Sequence, residues 1–356
     1  MLFWSLFLSC TSSTSTDNTD ILGDIILATV SVDYAVGALA VVNSADATLT
    51  ENIASISGDP LVQTEGDILW QINRYQYDTI RKYDINDLHI PLQEISVAPE
   101  TGSSNPHGIA SCQGKTFVTL YERSKILVLD PASLETITTI DITEYADSDG
   151  IAEASSIYNI GNKIFIGLQR LDRNLGFSPL YSMVLSIDCD TLSIVDTWEI
   201  GSNIRLFSWK SSDNDTESLG LISGQWEESP SSVYRFTNNT WNYVWSVDML
   251  DNTRSSFRID QASAWDDRLL LNIATDEGYL VSCVDLANTT VQNLDTFTEY
   301  ITDIKFQTPD TAWFSAHWGW LDMANSNVGL YEIQTDNCSL GQYIATEIAP
   351  VSFAFR

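Results

Sequence analysis

Residues Lys115 to Ile142 read KTFVTLYERSKILVLDPASLETITTIDI: an apolar alternating run, a short polar turn, a second run closing on Asp130, another turn, and a third run. Alternation over such short segments, bounded by polar and turn-forming residues, is the pattern of half-buried antiparallel strands. The same pattern recurs along the chain. KIFIGLQRLDR from Lys163 continues after an insertion as SMVLSIDCDTLSIVDTWEI from Ser182. Looser copies start at Ile25, Ile68, Leu219, Leu269 and Ala312. In these copies the second strand ends at Asn43, Asp84, Asp130, Asp188, Thr237, Asp285 and Ile333, so successive copies are 41 to 58 residues apart.

Repeats of roughly 40 to 50 residues, each a few short strands, are the period of a propeller blade. A further strand precedes each next copy: GIASC after Asn105, SSIYNI from Ser155, RLFSW from Arg205, DQASAW from Asp260 and TDIKF from Thr302. No segment sustains a helical period. The expected fold is therefore all-β, a seven-bladed β-propeller of four-stranded antiparallel blades. The chain ends on PVSFAFR, a strand with no copy behind it, while the first copy at Gly23 lacks its innermost strand. Pairing Val351–Phe355 with the strand from Ile25 closes the ring and removes the exposed edges of an open one. Two separate β-sandwiches, the alternative, give no reason for the even spacing.

Across residues 105 to 205, NPHGIA, the Lys115–Ile142 stretch and GNKIFIGLQRLDR resemble bacterial YVTN-type propeller repeats. The resemblance is good in two blades and loose in the rest. It implies a lactonase-like seven-bladed propeller; relatives include surface-layer and envelope proteins, lactonases and amine dehydrogenase heavy chains. Fold of this kind hosts many activities and selects none.

The N-terminus is separate from this pattern. Leu2 to Leu8 is apolar (LFWSLFL), Ser9 and Cys10 follow, and Thr11 to Asp20 is polar and low in complexity. This resembles a bacterial lipoprotein signal, which implies a signal peptide over 1–9, lipidation (palmitate included) at Cys10 and a Ser/Thr-rich tether over 10–22 ahead of a propeller spanning 23–356. A plain cleaved signal peptide is the alternative. Thr11 after the cysteine, rather than Asp, favours the outer membrane. No other segment approaches the ~18 apolar residues of a membrane span. The expected setting is an exported protein anchored to the bilayer by its lipid, on the periplasmic or the surface side.

The charge excludes some partners. The 356 residues carry 17 Lys plus Arg against 48 Asp plus Glu, a formal charge of −31, which opposes binding to a nucleic-acid backbone or an anionic membrane surface. With 44% hydrophobic residues the charge sits on a folded body, not on a disordered acidic chain. Beyond Cys10 there remain Cys112, Cys189, Cys283 and Cys338, which allow three pairings that the sequence leaves open. None of their spacings is that of a zinc site.

Propeller chemistry is mounted on the loops at one mouth of the channel. The turns between the second and third strands of each blade supply Asp33, Tyr34, Arg74, Tyr75, Glu122, Arg123, Arg170, Asp172, Arg173, Trp226, Glu227, Asp276, Glu277, His317, Trp318 and Trp320. Loops between blades add His107, Asp147, Asp149, Glu153 and Arg258. Arg74, Arg123, Arg170 and Arg173 offer planar donor forks that suit a ligand carboxylate, or else neutralise the rim's own acids. In DSDGIAE, Asp147, Asp149 and Glu153 provide oxygen ligands for a hard cation such as Ca2+, the one cofactor the sequence hints at, or are simply solvated acids. His107 is placed to be a base or ligand, or a structural histidine; no GxSxG nucleophile is present. The insertions RLDRNLGFSPLY (170–181) and HWGWLDMANSN (317–327) either present aromatic anchors or fold back into the channel. The leading expectation is a non-catalytic binding rim, made of Arg74, Tyr75, Glu122, Arg123, Arg170, Arg173, Trp226, His317, Trp318 and Trp320, for a protein or small ligand. The alternative is an enzyme, lactonase-like or dehydrogenase-subunit-like, using His107 and Glu153 with a rim metal.

Overall fold

The computed structural model describes residues 23–213, 218–224, 230–250, 257–318 and 327–356. Among them the regular structure is all β apart from three short 3-10 turns. The signal, lipidation and tether assignments over 1–22, and Trp226, Glu227 and Trp320, lie outside the described residues. No helix among the described residues is long and apolar enough to cross a membrane.

The Lys115–Ile142 stretch forms three of four strands in one antiparallel sheet, Pro106–Cys112, Lys115–Leu120, Lys125–Leu129 and Thr136–Asp141. Similar sheets run from Pro60 to Ser96, from Ala154 to Ser202 and from Tyr300 to Ala345. Two further four-stranded units, Arg205–Ser246 and Arg258–Phe297, are joined into one sheet where Trp209 and Lys210 pair in parallel with Ala264 and Trp265. In the sheet that begins the described chain, Ile25–Val30 pairs on one side with Gly37–Asn43 and on the other with the C-terminal strand Ala349–Phe355, Ile25 standing opposite Phe355. The strand Pro60–Glu65 (PLVQTE) escaped the sequence reading, because its polar Gln63, Thr64 and Glu65 mask the alternation.

Burial follows position in the sheet. Second strands such as Lys163–Leu168 are covered on both faces and buried throughout after the first residue, whereas outermost strands such as Thr136–Asp141 are mostly exposed. The core lies between sheets. Phe117, Ile126 and Val128 pack on Ile157, Ile164 and Leu185 of the next sheet. Phe165 and Val184 pack in turn on Leu206, Leu219 and Leu221. The last sheet packs on the first in the same way, with Trp313, Leu330 and Ile344 against Ile25, Leu27 and Val42. Each fully buried aliphatic or aromatic side chain contributes about 1.5–3 kcal/mol, so every sheet is held by both of its neighbours.

The repeated Asp has a local cause. Asp130 Oδ1 accepts the backbone N–H groups of Ala132 (2.9 Å) and Ser133 (2.8 Å). Asp188 does the same for Asp190 and Thr191, and Asp285 for Asn288. These side chains close the turn into the outermost strand by satisfying amides the ladder leaves unpaired. Asn43 can substitute, since its carbonyl accepts from Ala45 N at 3.0 Å.

The cysteines pair as Cys112–Cys189 and Cys283–Cys338, each bond joining adjacent four-stranded units.

Candidate functional site

One or two residues ahead of an innermost strand the backbone is left-handed, at Asn105 (φ 48°), Glu153 (φ 45°) and Asn203 (φ 43°). Each conformation turns the chain sharply from the outer edge of one sheet into the channel wall and aims a polar side chain at the neighbouring turns. Asn105 is set by Asp78, which is buried and accepts from Asn105 N (2.7 Å), Ser104 N (3.1 Å) and Ser103 Oγ (2.8 Å). Asn105 Oδ1 then accepts from Tyr75 N, and Glu153 Oε2 accepts from Leu171 N at 3.2 Å. Asn203 is fully buried, yet neither its Nδ2 nor its Oδ1 has a partner.

Around Glu153 the rim charges converge. Arg173 pairs with Glu122, reaches Glu153 Oε1 at 3.3 Å and lies 3.8 Å from Asp149 Oδ2. Burial pushes the Glu153 carboxyl up to about 8, with Asp149 and Asp147 adding to the rise and the Leu171 N–H and Arg173 opposing it. Burial also raises Asp147. At Asp149 burial is outweighed by the N–H groups of Arg173 and Ile151, and its carboxyl is lowered. The acids that meet are Asp147, Asp149 and Asp172, with ligand oxygens within 4.8 Å of one another. Glu153 of the sequence-based trio is turned to Arg173 instead, and Asp172 takes its place, accepting also from Ser148 Oγ at 2.6 Å.

The other rim arginines divide. Arg74 is held by Asp59, with Nε at 3.1 Å. Arg123 donates to the Thr101 carbonyl, and Arg170 to the Tyr181 carbonyl at 2.8 Å. Two of the four predicted rim arginines thus pair with acids, and two cap backbone carbonyls.

The channel wall behind this rim encloses about 970 Å³. His107 stacks on Tyr121 with ring centroids 4.3 Å apart. Burial, then the charges of Arg74 and Arg205, hold its imidazole well below the ordinary value, so it stays neutral near pH 7. Tyr121 donates to Gln169 Oε1 at 2.7 Å, and burial raises its hydroxyl far above the ordinary value. Across the mouth, His317 is buried, stacks on Tyr34 at 5.3 Å and meets Trp318 edge-on at 4.9 Å. Burial lowers its pKa, opposed by the Trp318 carbonyl. Arg258 binds Asp260 at 3.1 Å. At the far end Lys210, lowered by burial and by Lys305, donates to the Phe306 carbonyl at 2.8 Å.

Arg205 was not singled out by the sequence reading. It opens the innermost strand Arg205–Lys210 and makes one hydrogen bond among the described residues, to the Asp260 carbonyl at 3.3 Å, with no ion pair. The signal available was its position, a cation at the start of a strand bound for the channel.

The 170–181 insertion forms a small ribbon, Leu171–Asp172 against Ser178–Pro179, around a short turn capped by Asp172. Leu175, Phe177 and Tyr181 are 66%, 60% and 68% exposed. At the same time Leu171, Leu175, Phe177 and Pro179 roof a crevice of about 710 Å³ whose other walls include Tyr121, Gln169, Asn203 and Arg205. Tyr75 is also exposed, whereas Glu153 is buried and His107 is half-buried in the channel wall.

No family model matches the chain, and no curated protein matches its sequence. Solved structures do. A protein from Lactobacillus plantarum aligns with a TM-score of 0.64 at 14% identity, over 94% of this chain and all (100%) of the other. A candidate 6-phosphogluconolactonase from Bacteroides fragilis aligns with a TM-score of 0.60 at 11% identity, over 96% and 99% of the two chains. The β-propeller domain of the Trilobed protease from Pyrococcus furiosus aligns at 0.54 and 10% identity, over 91% and 95%. The class these likenesses define is the β-propeller. At such identities they carry the fold alone, and the proteins that share it differ in role.

Proposed function

We propose that this chain is a recognition module of the bacterial envelope: a seven-bladed, YVTN-type propeller, tethered by a lipid on Cys10 to the outer membrane, whose rim binds a protein or small ligand without catalysis of its own. The ring reading is supported by the pairing of Ala349–Phe355 with Ile25–Val30 and by the packing of Trp313 on Ile25 and Leu27. Two disulfides between neighbouring units suit an exported protein, since such bonds persist where thiols are oxidised. The observation that carries the binding reading is the exposure of Leu175, Phe177 and Tyr181 on one insertion at the rim. Large apolar side chains held out from an ordered turn are anchors for a partner. Against catalysis stand the commitments of the two candidate groups: Glu153 is bound by Leu171 N and Arg173, and His107 is stacked on Tyr121.

The test is cross-linked capture from solubilised envelopes with the intact lipidated chain, alongside Tyr181→Ser and Trp318→Ala. The reading expects a partner captured by the wild type and lost in both variants. Equal capture by all three contradicts it.

A second reading rests on the Asp147, Asp149 and Asp172 carboxylates. They fit a hard cation such as Ca2+, which prefers several oxygen ligands. An enzyme using that ion beside Glu153 requires activity to disappear in Glu153→Gln while the fold persists; a recognition module is indifferent to that change.

A further inference from the structure

We infer that the crevice under the 170–181 insertion is a binding site for a small organic carboxylate that also carries an amide-like hydrogen-bonding edge and an apolar flank. This deepens the recognition reading by naming a ligand class for the same rim.

The first observation is Asn203. Its side chain is fully buried, lines the crevice, and has neither its donor nor its acceptor satisfied. Its counterparts ahead of the two preceding innermost strands, Asn105 and Glu153, are both partnered by a backbone N–H of a nearby turn. A bare buried amide costs a protein its full desolvation penalty, and a ligand edge offering one donor and one acceptor removes that cost. The second observation is Arg205, two residues on. In a chain of net charge −31 it forms no ion pair among the described residues, and its charge acts on the Asp260 carboxyl only from a distance, whereas Arg74, Arg173 and Arg258 each pair directly with an acid. Its planar fork matches a carboxylate with two parallel hydrogen bonds. Third, Gln169 lends its Oε1 to the Tyr121 hydroxyl and keeps its amide hydrogens to donate. Leu171, Leu175 and Phe177 complete the roof with apolar surface.

N-acetyl-L-leucine carries all three features and serves as the probe. N-acetyl-L-leucinamide lacks the carboxylate, and 4-methylpentanoate lacks the amide. Binding to the full chain is measured by titration calorimetry, with thermal unfolding of every variant as the check on folding. N-acetyl-L-leucine is expected to bind best, with each analogue weaker by about tenfold or more, the scale of one lost charge-assisted or buried hydrogen bond. Arg205→Gln is expected to abolish the preference for the carboxylate. Asn203→Gly, which keeps the left-handed backbone, is expected to abolish the preference for the amide without lowering the unfolding midpoint. Failure of N-acetyl-L-leucine to saturate the wild type, or binding to both variants as to the wild type, overturns the inference. Partner capture that still depends on Tyr181 and Trp318 in that event leaves the recognition reading intact. Probe binding without such capture upholds the inference and overturns only the protein-partner form of that reading.

Discussion

At Gly220 one missing side chain carries packing weight. It stands opposite Phe207 in the strand pair, and a Cβ there would come within 2.0 Å of the Phe207 ring. The ring lies over the glycine, so Gly220→Ala is expected to lower stability by roughly 1–3 kcal/mol, as overpacking does, measurable by denaturant unfolding. Glu153 makes a pH-dependent contribution. Its carboxyl is raised from 4.5 to about 8 by burial, so the folded chain keeps a proton that the unfolded chain releases. Stability from this group is full below the ordinary carboxylate value and is lost as pH rises through about 8. Glu153→Gln keeps an acceptor for Leu171 N and removes the charge. Its unfolding midpoint is expected to gain on the wild type at about pH 9 and not at about pH 5; a constant difference across that range contradicts the assignment. Single residues were the least legible scale in the sequence. DSDGIAE announced an acidic cluster, but backbone turns decide which acids meet: the left-handed Glu153 faces Arg173, and the insertion carries Asp172 to Asp147 and Asp149. Asn203 and Arg205 gave no motif, because their meaning comes from what fails to pair with them.

At the scale of strands and turns the sequence was most informative. The recurring Asp at the end of the third strand is a turn-closing acceptor at Asp84, Asp130, Asp188 and Asp285, and a feature with one local cause repeats wherever the turn does. Pro60–Glu65 was hidden since an innermost strand lines the central cavity, where Gln63 and Glu65 are accommodated by hydrogen bonds with Ile109 and Ser111. Cysteine pairing was equally hidden, as spacing says nothing about which units are neighbours. The two bonds span 77 and 55 residues, and loop-closure entropy assigns about 4 kcal/mol to each. Replacing Cys283 and Cys338 by Ser together is expected to lower the unfolding midpoint markedly, and reductant to have no further effect on that bond's share. Deleting residues 349–356 strips Ile25–Val30 of its partner strand. The expected outcome is loss of cooperative unfolding and self-association through the bared edge, seen by calorimetry and light scattering; a monomer as stable as the full chain contradicts the closing role of that strand.

For the whole molecule, the spacing of the repeats predicted a ring; among the described residues the sheets pack pairwise, and Trp313, Leu330 and Ile344 pack on Ile25, Leu27 and Val42. The charge of −31 acts on the folded chain as self-repulsion. Raising ionic strength toward about 1 M shortens the screening length to about 3 Å, so the unfolding midpoint is expected to rise with sodium chloride. Function is where the fold runs out, because propellers of different role share it; the feature of this chain that bears on function is the face with the second-to-third-strand turns, where Phe177 and Tyr181 are exposed. The most direct measurement is hydrogen exchange of the intact chain, free and in its captured complex. The account predicts slowed exchange in the turns at 121–124 and 170–181, with the opposite-face turns at 131–134 and 286–289 unchanged. Protection confined to those opposite-face turns, or none on either face, would contradict it.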